Sequence, residues 1–154
     1  MAAIATKKAP PKRGAVNSAS RVAGAEELAH ARAARAHRDS VKAFGKIVEA
    51  LVGYVGAQMV AYIGGVSETR AVRQWIAGER EAHPNTKSKL QLALNVAGLL
   101  DQAGESDAVE AWFQGLNPSL DDHAPAELLR DAEGTKLTST GRRILAAARE
   151  FADS

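Results

Sequence analysis

Apolar residues recur at helical spacing over most of the chain, and no stretch alternates with period two for long enough to predict a strand. Val41, Phe44, Ile47, Val48 and Leu51 mark the first convincing amphipathic helix. Residues 26–38 before it are rich in Ala, Arg and Glu, with high helix propensity but an apolar face made mostly of alanine. Residues 57–63 predict a short apolar helix closed by Gly64-Gly65, a pair suited to a helix end and a tight turn. Ser67 is the expected N-cap of a second short helix over 67–77. That helix turns Val66, Ala71, Val72 and Trp75 inward and Glu68, Arg70, Arg73 and Gln74 outward, and Gly78 ends it.

After a polar loop over 78–85, residues 86–102 predict a strong helix on Leu90, Leu92, Leu94, Val96, Ala97, Leu99 and Leu100. Gly104 stops it, and Ser106 is expected to cap a short helix over 108–114 carrying Trp112 and Phe113. Asn117-Pro118 and Asp121-Asp122 mark turns. Pro125 fits the first turn of a helix with Ala126, Leu128 and Leu129, expected to end at Gly134. The last helix is predicted over about 140–151, with Ile144, Leu145, Ala148 and Phe151 on one face. No internal repeat at a period of roughly 20 to 50 residues is present. The fold class this pattern predicts is all-α: a helix-turn-helix module followed by a small helical domain.

At 154 residues the chain has room for one compact domain or two small ones. An apolar share of 45% and a charged share of 25% argue against wholesale disorder. With no cysteine, a disulfide framework, a thiolate metal site and a cysteine nucleophile are all excluded. No apolar run approaches the roughly 18 residues of a membrane span, and the N-terminus carries no apolar signal region, so a cytoplasmic location is expected. Residues 1–22 hold basic residues, no acid and the pair Pro10-Pro11. Their composition is loosely that of an organellar transit peptide, but a disordered or nucleic-acid-contacting arm is the better reading, and a disordered basic tail is expected over 1–25. The remaining boundaries are expected at 26–103 for the helical region with the helix-turn-helix and at 104–154 for the second helical domain.

The net charge of +2 hides an asymmetry. Residues 1–42 hold nine Lys/Arg against three Asp/Glu, residues 43–100 six against four, and residues 101–154 five against eleven. A basic front and an acidic back suggest two different partners, or simply two solvated ends.

Residues 56–78 follow the helix-turn-helix plan: short helix, glycine turn, second short helix with an inward tryptophan. The outer face of the second helix offers Ser67, Thr69, Arg70, Arg73 and Gln74 as DNA-binding candidates. Hydroxyls and a helix N-terminus suit phosphate, arginine suits guanine and glutamine suits adenine. The alternative is a helix pair that only packs.

The run VSETRAVRQWIAGERE resembles the Xre-type helix-turn-helix at its recognition helix and exit. The run AWFQGLNPSLDDHAPAELL resembles the toxin-binding domain of the Xre/MbcA/ParS antitoxins through Trp112, Asn117-Pro118, Leu120, Pro125 and Leu128-Leu129. The resemblance covers about residues 45–152, and the order of the two parts is the family's. It implies an antitoxin-like protein that neutralises a RES-domain toxin, which degrades NAD, by direct binding, and that binds its own operator. Trp112, Asn117, Pro118, Leu120, Pro125, Leu128 and Leu129, with Arg142, Arg143 and Phe151 on the last helix, are then the partner-binding candidates. The acidic second half suits a basic entrance built for a phosphate-bearing dinucleotide.

Each of these residues also has a plainer reading. Trp112 and Phe113 fit a core, Asn117-Pro118 a turn, and the last helix a core or dimer seam. His30, His37, His83 and His123 do not converge at metal spacing. No nucleophile elbow, P-loop or dinucleotide-binding glycine pattern occurs, so neither an enzyme nor a cofactor is expected. The partners expected are a RES-domain toxin or other protein, double-stranded DNA and a second copy in a homodimer, with no membrane. The alternative is a stand-alone DNA-binding regulator, or an assembly factor on the antitoxin scaffold, with no toxin.

Overall fold

The computed structural model describes the backbone from residue 14 and the side chains from residue 18. Its helices are α1 (Gly14–Val55), α2 (Ala57–Gly64), α3 (Thr69–Ala77), α4 (Pro84–Gln102), α5 (Val109–Gln114), α6 (Pro125–Asp131) and α7 (Thr135–Asp153). Two 3-10 turns, Ser106–Ala108 and Pro118–Leu120, flank α5. No strand occurs among the described residues, and the fold is all-α. No single helix among them is long and apolar enough to cross a membrane.

Residues 1–38 and 39–154 form two separate units. In the first, residues 18–38 are exposed except for the half-buried Gly24. The His30 ring donates from Nδ1 to the Glu26 carbonyl at 2.7 Å. The disordered tail expected over 1–25 is corrected here, since residues 14–25 are helical. No proline follows Pro11 in that stretch, and Ala15, Ala19, Ala23 and Ala25 continue the high helix propensity of 26–38. The rest of the expected tail, residues 1–13, lies outside the described residues.

The second unit is built around one apolar core. The α1 residues Phe44, Val48, Leu51 and Val55 meet Val60 and Ile63 of α2, Val72 and Trp75 of α3, and Leu90, Val96 and Leu100 of α4. The same core continues through Phe113, Leu120, Leu129, Ile144 and Ala148, so the stretches read as 26–103 and 104–154 share it. Burying each Val, Leu, Ile or Phe side chain among these is worth roughly 1.5–3 kcal/mol. Phe44 and Trp75 pack edge to face with centroids 6.0 Å apart, as do Trp112 and Phe113 at 5.4 Å.

Several boundaries differ from expectation. Ser67 does not cap α3: the N-cap is Glu68, in extended backbone and without a side-chain cap bond. The preceding turn is a Schellman end on α2. Gly65 is left-handed (φ 74°) and donates to the Tyr62 carbonyl, Val66 donates to Ala61, and the next helix starts only after this closure. Gly134 does not end α6. Ala132 does so in extended backbone, and Gly134 (φ 56°) opens α7 at Thr135, five residues earlier than predicted. A positive-φ glycine marks a chain reversal from either side, and here it serves the following helix. Ser106 begins a 3-10 turn and does not cap a helix, the residue before that turn being Glu105.

Candidate nucleic-acid and partner surfaces

The α2–α3 pair stands on a rigid base. A Cβ added at Gly45 of α1 would lie 2.8 Å from the Ile76 carbonyl oxygen and 2.9 Å from that of Trp75, so only glycine lets the α1 backbone close on the end of α3. Gly78 (φ 73°) then ends α3 with a second Schellman pair, Gly78 to Trp75 and Glu79 to Gln74. With Ala71, Val72 and Trp75 buried, the opposite face of α3 is left to solvent.

Of the five residues expected on that face, Ser67, Arg70 and Arg73 are exposed, and Thr69 and Gln74 are half-buried. Ser67, Thr69, Arg70 and Arg73 line one groove of about 580 Å³. Gln74 lines a smaller neighbouring hollow with Arg70 and Arg80. The Arg73 guanidinium donates to the Thr69 hydroxyl one turn back at 3.4 Å, a long bond that lightly tethers it. Three further polar residues of the groove were missed in the sequence: Gln58 and Tyr62 of α2, and Arg130 of α6. Gln58 and Tyr62 are four apart on one helix face, a spacing visible once the groove is known. Arg130 is about sixty residues away in sequence and carries no local signal. It lies with Cζ 4.5 Å from the Tyr62 ring centroid, in cation–π range. Glu68 is the one carboxylate on this lining.

The second surface lies at the far end of α7. Trp112 of α5, Asn117 and Pro118 of the following loop, and Phe151 of α7 line a groove of about 550 Å³ with Ala147 and Leu116. Leu116 is 72% exposed and Phe151 39%, while Trp112 is 8% exposed and forms the floor. The Trp112 indole N–H is buried and finds no acceptor among the described residues. The structure therefore brings four of the ten partner candidates together.

The other six are placed elsewhere. Leu120, Pro125 and Leu129 are buried, and Leu128 is half-buried, so these are packing residues. Arg142 is exposed and outside the groove. Arg143 pairs with Asp121 at 2.7 Å, both side chains being well exposed. The last helix fills the core through Ile144, Ala147 and Ala148, and Gly141 lets it close on Leu92 of α4.

Asn117 organises the loop beneath the groove. Its side-chain oxygen accepts from the Ser119 N–H at 2.9 Å, and its carbonyl accepts from Leu120 and Asp122. Asp121 and Asp122 both take positive φ (56° and 60°), a conformation that short polar side chains tolerate better than others. The Ser119 hydroxyl donates to Glu150 at 2.7 Å and, with Arg143–Asp121, fastens this loop to α7. Among the described residues no three His, Asp or Glu side chains converge as a metal site would require.

No family model matches the chain, and no curated protein or solved structure matches it either.

Proposed function

We propose that this chain is an antitoxin-like protein that binds and neutralises a RES-type, NAD-degrading toxin and represses its own operator through α2 and α3. The observation that carries the proposal is the convergence of Trp112, Asn117, Pro118 and Phe151 in one partly apolar groove, around the exposed Leu116. Trp112, Asn117 and Pro118 come from the motif that carries the resemblance, and Phe151 comes from the last helix, more than thirty residues on. An aromatic floor under exposed apolar side chains is the arrangement in which a protein partner gains most from burial. The groove is separate from the arginine-lined surface of α3, so the two partners have separate places to bind.

The test is co-expression with a RES-type toxin, scored by growth, cellular NAD and co-purification. Wild-type chain restores growth and co-purifies. Leu116→Asp, at a position already in water, keeps the melting temperature but loses rescue and complex. Full rescue by that variant would reject the groove as the toxin site. The arginine-lined groove favours one second reading, a stand-alone regulator, in which operator binding occurs and no RES-type toxin is captured.

A further inference from the structure

The arginines of the α3 groove do not all come from the helix-turn-helix. Arg70 and Arg73 do, but the third, Arg130, sits in the last turn of α6, inside the stretch whose resemblance is to a toxin-binding domain. Its guanidinium lies over the Tyr62 ring, and among the described residues it forms no ion pair. A guanidinium has five N–H donors, and a cation–π contact with one ring leaves donors over for an anion. A tyrosine beneath it also limits the directions the side chain can sample, so less freedom is lost when it meets an anion.

We infer that Arg130 is a phosphodiester-contacting residue of the DNA surface. The inference rests on the DNA-binding reading above and extends it from the helix-turn-helix to α6. Three arginines against the single carboxylate Glu68 give the groove a clear positive balance, and its other polar groups, on Gln58, Tyr62, Ser67 and Thr69, all can donate. A lining of this kind suits a run of phosphates better than a mixed-charge peptide surface. Gln58 and Tyr62 on α2, with Thr69, Arg70 and Arg73 on α3, place the base-reading helix at the groove. Arg130, against Tyr62, adds a cation from α6 beside that helix pair, where a sugar–phosphate backbone would pass. Arg130 also borders a neighbouring groove, where Glu81, Asp131 and Glu133 stand with Arg80 and Lys89, but none of those three carboxylates is on the lining shared with Arg70 and Arg73.

The role predicted is positional and blind to sequence, as phosphate contacts are. The fold should tolerate its removal, because the main-chain carbonyl of Arg130, not its side chain, accepts the bond from Lys89. The experiment uses full-length protein and two 30-base-pair duplexes, one from upstream of its own gene and one of unrelated sequence. Binding is measured by fluorescence anisotropy across a salt series for wild type, Arg130→Gln, Arg130→Lys and Arg73→Ala, with melting curves for each. Arg130→Gln should weaken both duplexes several-fold by the same factor and make the salt slope shallower by about one. Arg130→Lys should restore most of both. Unchanged affinity and slope in Arg130→Gln, with Arg73→Ala impaired, would overturn this inference and leave the DNA reading standing. Absence of binding by the wild type, or binding that none of the variants affects, would overturn the DNA reading and this inference with it. A selective loss on the upstream duplex alone would also overturn it, because it would make Arg130 a base reader.

Discussion

The Lys89 ammonium, on a residue only 5% exposed, donates a 2.6 Å hydrogen bond to the main-chain carbonyl of Arg130. It ties the middle of the chain to the last turn of α6 and satisfies a helix-end carbonyl that has no partner of its own within the helix. Burial pushes the lysine below its ordinary 10.5, Glu133 and Asp131 pull it back up, and Arg130 adds a smaller push downward. Lys89→Ala should cost about 1.5–3 kcal/mol, the range for a hydrogen bond to a charged group. Because the folded-state value is lowered, the unfolded chain binds more protons just below pH 10.5. Stability from this group therefore rises as pH climbs toward that value. Urea denaturation of both proteins from neutral to alkaline pH checks it, the gap between wild type and variant widening with pH. A constant gap would contradict it.

Tyr54 gives a second titration of opposite sign. Its hydroxyl donates to Asp101 at 2.8 Å, and this bond, with minor help from burial and the carboxylate charge, holds its pKa above the ordinary 10.0. The contribution is complete below pH 10 and is lost as pH rises through the folded-state value. The chain has two tyrosines, so absorbance titration of wild type against Tyr54→Phe isolates the step. A late-ionising component that survives in Tyr54→Phe would rule the assignment out.

Gly45→Ala should destabilise the second unit by about 1–3 kcal/mol, the range for overpacking, because the atoms it meets are backbone and cannot rotate away. Gly65→Ala should cost about 1–2 kcal/mol for a different reason, its left-handed φ of 74°, since a Cβ there meets nothing within 4 Å. Thermal melts measure both.

Residues of α7 should separate into two classes. Ile144→Ala empties a fully buried position and should cost about 2–5 kcal/mol. Phe151→Ala, at 39% exposure, should cost under about 1 kcal/mol yet weaken partner binding. Removing residues 141–154 should unfold the second unit, because Ile144, Ala147 and Ala148 leave with them. Circular dichroism of the truncated chain decides this; a cooperative melt with native helicity would show that α7 is dispensable.

Arg73→Ala should weaken operator binding by about 1–3 kcal/mol if its guanidinium reads a base. Among the described residues its side chain is tethered by the 3.4 Å bond to Thr69, so the fold should not change. Mobility shifts on the duplex from upstream of the gene measure the loss, and undiminished affinity in the Arg70/Arg73 double variant would remove α3 from the interface.

Most helices were legible because their apolar faces repeat: Val72 and Trp75 of α3, and Leu90, Val96 and Leu100 of α4, were read as inward and are buried. Boundaries were less legible where one residue type serves two purposes. Gly134 signals a reversal without saying which helix owns it, and Ser67 looks like a cap although the Gly65 closure moves the helix start past it. Core and surface roles inside one motif were also mixed. Leu120, Pro125 and Leu129 have the same apolar character as Leu116, and only the packed structure separates them. Arg130 was invisible because its meaning comes from Tyr62, which α2 brings alongside from far earlier in the chain.

The buried, unpartnered indole of Trp112 has a counterpart in Trp75, whose N–H also finds no acceptor among the described residues. The chain holds only these two tryptophans, one on the buried face of α3 and one under the groove that Leu116 and Phe151 line. Each surface thus carries its own optical reporter, dark to solvent and free of a hydrogen bond that would redden its emission. With either indole replaced by phenylalanine, the remaining fluorescence would show which face responds to an added duplex or protein, without any label.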